Sequence, residues 1–257
     1  MELLAHTRLI LWEGGSLWVA DATPSPDNPD RRTDPHAHHA VQVTLSLGGG
    51  FRLGAGGTEL GGDAVAVAAD ATHVFGAEGL VALLFVEPDG RTGRAISDTL
   101  FKDNDLAPIP PEMLGDFPGR IVANFRGATR DDRALADLGR GLAARMAGAA
   151  APREPDPRVR KMIAWAGGQM DGPVSLADIG PVGGLSSGRL RHLFVEQTGL
   201  AFRTYLLWLR LTRALETLAA GASLTQSAHE AGFADSAHFS RTFKRMFGVA
   251  PATLRMS

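Results

Sequence analysis

From the N-terminus to about Asp89 the chain alternates short apolar runs with paired glycines. The runs are Leu9–Trp12, Leu17–Ala20, Val41–Leu47, Phe51–Leu53, Ala64–Ala68 and Leu80–Val86, and the breaks fall at Gly14-Gly15, Gly48-Gly49-Gly50, Gly56-Gly57 and Gly61-Gly62. Short strands at close spacing with glycine turns predict an antiparallel β domain, a small barrel or sandwich. Residues 90–130 are less patterned, because Pro108, Pro110, Pro111 and Pro118 interrupt any long helix. From Asp131 the period changes. Leu135, Leu138, Leu142 and Met146 recur at three and four and predict a helix over 131–150, with two acids at its start to suit the helix dipole. Beyond the Pro-rich stretch 151–157 the pattern is helical throughout: 158–170, 175–180, 187–198, 202–220, 224–231 and 235–247. The predicted fold class is α+β in two domains, 1–150 and 158–257, joined by the linker 151–157.

The helical part repeats itself. SLADIGPVGGLSSGRLRHLFVEQTG starts at Ser175 and SLTQSAHEAGFADSAHFSRTFKRMFG at Ser223, 48 residues later. In each copy a Ser caps a short apolar helix, a Gly-Leu or Gly-Phe pair turns the chain, a polar pair opens a second helix, and an aromatic and a Gly close it. This is the grammar of a helix-turn-helix. In the second copy Phe239, Phe243, Met246 and Phe247 share one face. Ala237, Arg241, Lys244 and Arg245 take the other, flanked by His238 and Ser240. In the first, Leu190, Leu193 and Phe194 form the core face and leave Gly188, Arg189, Arg191 and His192 outward. Small or polar residues at a helix start with cations farther along suit a helix lying in the major groove, where arginine can bond guanine through two donors.

Charge supports a polyanionic partner for this half. Residues 1–157 carry 14 Lys+Arg against 22 Asp+Glu, a net of −8, and residues 158–257 carry 12 against 6, a net of +6; together these give the chain's −2. With no cysteine, disulfides and thiolate metal sites are excluded, so a metal would rest on His, Asp, Glu or an amide. No secretory leader and no apolar run of membrane-spanning length is found, so a cytoplasmic protein is expected.

The stretch AGFADSAHFSRTFKRMFGVAP, Ala231 to Pro251, resembles the DNA-binding domain of the AraC/XylS family of transcription regulators. The first copy agrees at Leu190, Leu193, Phe194, Gly199, Phe202, Tyr205, Leu206 and the Leu209-Arg210 pair. The resemblance implies a tandem helix-turn-helix reading successive major-groove segments of double-stranded promoter DNA. Arg189, Arg191 and His192 would act from the first copy, and Ser236, Ala237, His238, Ser240, Arg241 and Lys244 from the second. It further implies RNA polymerase as a partner, a homodimer paired through the 131–150 helix, and no enzymatic activity. Two features set the copies apart: Gly180-Pro181 falls inside the first positioning helix, and Gly188 brings no side chain to a reading position. The second copy is expected to be the better reader.

In the N-terminal half, PHAHHAVQ places His36, His38 and Gln42 on one face of an extended segment, and His73 follows Gln42 by 31 residues. The spacing His-x-His-x3-Gln resembles the first metal-binding motif of cupin barrels, with Gln replacing the usual Glu. The second motif, Gly62 to His73, departs further, with Ala68 and Asp70 where Pro and Gly are usual. Three imidazoles and an amide suit a divalent metal (zinc, nickel, iron or manganese), the lining of a pocket for a small effector, or plain packing. His39 points the other way and is expected at the surface. The main functional expectation is a transcription regulator controlled through a cupin-like domain; the alternative is a metal-dependent cupin enzyme with an appended DNA-binding module.

Overall fold

A computed structural model describes residues 4–22, 32–128, 131–148, 156–169, 174–175, 178–179 and 185–256. Most of the linker 151–157 and the Gly180-Pro181 pair lie outside these residues. The chain divides into two compact units, one formed by Met1–Pro152 with Phe243–Ser257 and the other by Arg153–Thr242. The last fifteen residues thus group with the β unit, although the sequence pattern runs them on from the helical half.

The β unit contains β1 (Leu4–Trp12), β2 (Gly15–Ala22), β3 (Val41–Ser46), β4 (Gly50–Ala55), β5 (Thr58–Leu60), β6 (Ala64–Val67), β7 (His73–Val86), β8 (Leu106–Pro108) and β9 (Leu254–Met256). The strand order is β8-β6-β3-β7-β2-β1-β9, antiparallel except where β9 runs parallel to β1, and the β4–β5 hairpin joins through β7. The glycine breaks act as turns between these strands, as their spacing predicts. β7 is the organising strand: its first half pairs with β4 and its second half lies between β2 and β3.

Because side chains alternate along a strand, the central strands have two different faces. One carries Leu17 and Val19, then Val41, Val43 and Leu45, then Leu80, Ala82, Leu84 and Val86, all packed in one apolar core. The other carries Trp18 from β2, Gln42 and Thr44 from β3 and Phe85 from β7, also buried. The first face is covered by helices α1 (Arg91–Leu100), α2 (Pro111–Leu114), α3 (Phe117–Arg126) and α4 (Asp132–Ala147). Asp131 caps α4 by accepting from the Ala134 amide at 2.9 Å. The α4 stripe Leu135, Leu138, Leu142 and Met146 is buried in this core, so its apolar face is spent within its own unit. Gly139 sits where a Cβ would overlap the Trp12 ring, which lets α4 lie close on β1. Arg8 on β1 ties the same helix through Asp132 at 2.7 Å.

The helical unit begins with α5 (Pro157–Gly167), followed by α6 (Ser187–Thr198), α7 (Phe202–Ala219), α8 (Leu224–Glu230) and α9 (Ser236–Phe247), the last of which ends inside the β unit. Its core gathers Val159, Met162, Leu190, Phe194, Phe202 and Tyr205, with the Phe194 ring edge-on to Phe202 and Tyr205 at 5.2 Å each. The predicted cap of the second copy holds: Ser223 accepts from the Gln226 amide at 3.2 Å at the start of α8. Ser186, in the polar pair that opens the second helix of the first copy, accepts from the Arg189 amide at the start of α6. Gly199 ends α6 in the left-handed conformation at φ 75°. Among the described residues no helix is long and apolar enough to cross a membrane.

Candidate functional site

Two sites of opposite character emerge. On the second face of the β unit His36, His38 and His73 come together, all buried, each offering a ring nitrogen within 4.8 Å of the others. His36 and His38 lie in the irregular approach to β3 rather than in a regular strand. His36 is nevertheless registered against His73 by reciprocal backbone bonds of 3.0 and 2.9 Å, which set the rings 4.2 Å apart.

Each ring is oriented by a carbonyl. His36 Nδ1 lies 2.9 Å from the Asp34 carbonyl, His38 Nδ1 3.2 Å from that of Ala40, and His73 Nδ1 2.9 Å from that of Ala71. A carbonyl only accepts, so in His36 and His73 the neutral ring carries its proton on Nδ1 and bears the lone pair on Nε2. His73 Nε2 is buried with no hydrogen-bond partner. Burial drives all three pKa values down, His36 to about 3, and mutual repulsion with His73 adds to the effect on His36 and His38. The rings are therefore neutral, the form that ligates a metal.

Gln42 Oε1 lies 3.0 Å from His38 Nε2, and Gln42 Nε2 donates to Thr44 Oγ1 at 3.0 Å. His38 thus has an acceptor oxygen beside each ring nitrogen, and the neutral ring donates to one of them. Three neutral imidazoles, each with Nδ1 against a backbone carbonyl, match the donor set and outer-shell pattern of a divalent transition-metal site. The residues present fit such an ion, with His36, His38 and His73 as its holders.

His39 departs from expectation: it is buried, not at the surface. Nδ1 bonds Asp70 Oδ2 and Nε2 bonds Asp89 Oδ2, each at 2.8 Å. Burial alone would lower its pKa, yet the two carboxylates overcome this and raise it to about 9, so a doubly protonated ring bridges two anions. The periodicity put His39 on the face away from His38 correctly. What it lacked were two acids, 31 and 50 residues later, that turn that face into an ion-paired interior.

The second site is exposed. On α6, Arg189, Arg191 and His192 are exposed, while Leu190 and Phe194 are fully buried. On α9, Ala237, Arg241 and Lys244 are exposed, Ser236, His238 and Ser240 are half-buried, and Phe239 and Phe243 are fully buried. Asp235 Oδ1 accepts from the His238 amide at 2.6 Å and so starts α9 at its predicted place. Arg191 and His238 line one groove together with Phe202, Arg203, Leu206 and Arg210 of α7. One candidate reader from each copy, Arg191 and His238, thus lines a single concavity, to which the linking helix adds Arg210 and also Arg203, which the sequence reading did not single out. Lys244 is paired with Asp34 at 2.9 Å in this conformation.

Comparison with known proteins bears on this arrangement. A family described as a helix-turn-helix domain matches residues 183–257. The HTH-type transcriptional activator RhaS of Escherichia fergusonii is 38% identical over 101 residues, covering 39% of this chain and 36% of that protein. The uncharacterized HTH-type transcriptional regulator YidL of Escherichia coli is 36% identical over 98 residues, covering 38% and 33%. The chain spans about a third of the length of these curated relatives. Two crystal structures of ToxT from Vibrio cholerae align over nearly the whole chain, one covering 96% of it and 95% of ToxT with a TM-score of 0.57, the other 93% and 97% with a TM-score of 0.60, each at 14% identity. The fold and the exposed basic helices define a two-part protein, an antiparallel β domain followed by a helix-turn-helix domain. The stretch Ala231 to Pro251 lies wholly within the residues that match the helix-turn-helix family.

Proposed function

We propose that the protein is a sequence-specific DNA-binding transcription regulator of the AraC type whose β unit senses a small ligand. The observation that carries this reading is the pair of helix-turn-helix copies whose Arg191 and His238 line one groove with Arg203 and Arg210 of the helix between them. In it, α6 and α9 enter successive major-groove segments. Arg191 and Arg241 supply paired donors to base edges, Ser236, Ala237 and Ser240 permit close approach, and Arg189 and Lys244 neutralise phosphates. RNA polymerase at the bound promoter is the partner this activity requires.

For the β unit we propose a divalent transition metal held by His36, His38 and His73, with Gln42 at its border. Such an ion would supply a charge that draws two separate chain segments to one point. ToxT has also been solved with an unsaturated fatty acid bound, which supports ligand control in a protein of this fold.

The test is selection of bound fragments from random double-stranded DNA by the full chain at near-physiological salt, without and with zinc. Enrichment of a short motif is expected. Retention of DNA with no sequence preference and a steep salt dependence would replace the reading with nonspecific binding.

A further inference from the structure

The C-terminal turn of α9 and the residues after it build part of the histidine site, although they are the most distant from it in sequence. Gly248 ends α9 at φ 70°, and its carbonyl accepts from the Asp34 amide at 3.0 Å. The Asp34 carbonyl in turn accepts from His36 Nδ1. The Asp34 peptide is therefore held between Gly248 on one side and the imidazole on the other. A Cβ at Gly248 would overlap the Asp34 carbonyl, the Thr33 side chain and the His36 ring. Beside it the Phe247 ring packs on His38 at 5.7 Å, on Trp18 at 5.0 Å and on Phe85 at 5.8 Å. Lys244 pairs with the Asp34 carboxylate, and past Val249 the chain forms a short 3-10 turn, Pro251–Thr253, before β9 joins β1.

We infer that Phe247 and Gly248 form the outer shell of the trihistidine metal site, so that cation binding and docking of residues 243–253 on the β unit are thermodynamically coupled. The inference rests on the metal reading of the three histidines. The physical link is short. A cation needs His36 held with Nδ1 protonated and Nε2 aimed inward, the Asp34 carbonyl enforces that state, and Gly248 fixes the Asp34 peptide. By reciprocity, whatever the docked turn adds to cation affinity, the cation returns as stability of the docked turn. Because α9 carries Ser236 to Arg241, the ion acts on the same helix that presents the second set of candidate readers.

The experiment is a zinc titration by calorimetry of the full chain and of Gly248→Ala, Phe247→Ala and Gly199→Ala, with circular dichroism to monitor folding. Gly199 has a comparable φ of 75° but nothing within 4 Å of its Cβ position, so its variant carries the backbone strain without the overlap. We expect Gly248→Ala to weaken zinc binding roughly 10–100-fold, the range for loss of outer-shell support. Phe247→Ala should weaken it less, and Gly199→Ala should leave it unchanged. In the unaltered chain zinc should slow amide exchange across 247–253. If Gly248→Ala fails to fold, the Phe247→Ala affinity and the exchange result decide. Zinc binding by the unaltered chain that Gly248→Ala and Phe247→Ala leave within about twofold, with no change in exchange, overturns the coupling while sparing the metal site. No zinc binding by the unaltered chain removes the metal reading and the coupling with it.

Discussion

The β unit hides its polar chemistry and the helical unit displays it. His36, His38, His39 and His73 are all buried and every ring has a designated partner or orienting carbonyl, whereas Arg189, Arg191, His192 and Arg241 stand exposed on helix faces. The difference fits the two ligands proposed for the units, a small ion and a duplex. A small ion is gripped by groups already withdrawn from water and fixed in one protonation state. A duplex must be met by side chains that reach outward and trade hydration for base edges and phosphates. Both designs rest on buried aromatic packing, which makes the consequences of substitution rank in an unexpected order.

The largest effect is expected not at a reader but beneath one. Phe239 is fully buried under α9, and Phe239→Ala should cost about 3–5 kcal/mol of stability, read from the denaturant midpoint. A cost below about 1 kcal/mol would mean that the helix is not held by this face. Next comes the charged bridge in the β unit. The folded-state pKa of His39 is raised to about 9, above the ordinary imidazole value of 6.5. Its contribution is therefore fully present below about pH 6.5 and is lost as pH rises through 9, an effect on the order of 2–3 kcal/mol. Asp89→Asn should flatten that dependence in pH-resolved unfolding, and an unchanged slope would show the bridge to be uncharged. Arg241→Ala should weaken binding to a selected site by about 1–3 kcal/mol while sparing random DNA, with a smaller loss for Arg191→Ala; equal losses on both DNAs would reassign Arg241 to the backbone. The smallest effect is at Gly188, exposed in α6 with nothing near its Cβ position. Gly188→Ala should stabilise the chain by about 0.5–1 kcal/mol and leave DNA affinity unchanged, whereas a clear loss of affinity would place the α6 backbone against the duplex at that point.

The two units also differ in how much of them the sequence discloses. In the helical unit the signals are local: Ser186, Ser223 and Asp235 cap where expected, Gly199 and Gly248 terminate, and the 3.6 period sorts Phe194 and Phe239 inward from Arg191 and Arg241. In the β unit the strands were legible from alternation. The pairing of His36 with His73, however, depends on β7 extending well beyond the apolar run at Leu80–Val86, through a half whose partners are remote in sequence. His39 was misplaced for a related reason: alternation specifies a face but not whether Asp70 and Asp89 will close over it. The docking of Phe247 and Gly248 carried no local signal, since the same phenylalanine fits the apolar stripe of α9 and Gly248 reads as an ordinary helix terminator. Contacts made across two hundred residues are fixed by the packed fold alone.

The central claim, that two helix-turn-helix copies read one duplex together, is tested most directly by footprinting the full chain on its selected DNA site. The account predicts two protected major-groove segments on one face, centred about one helical turn, roughly 34–36 Å, apart, with the segment facing α9 the more sensitive to base substitution. A single protected segment, or protection that ignores sequence in both, would contradict it.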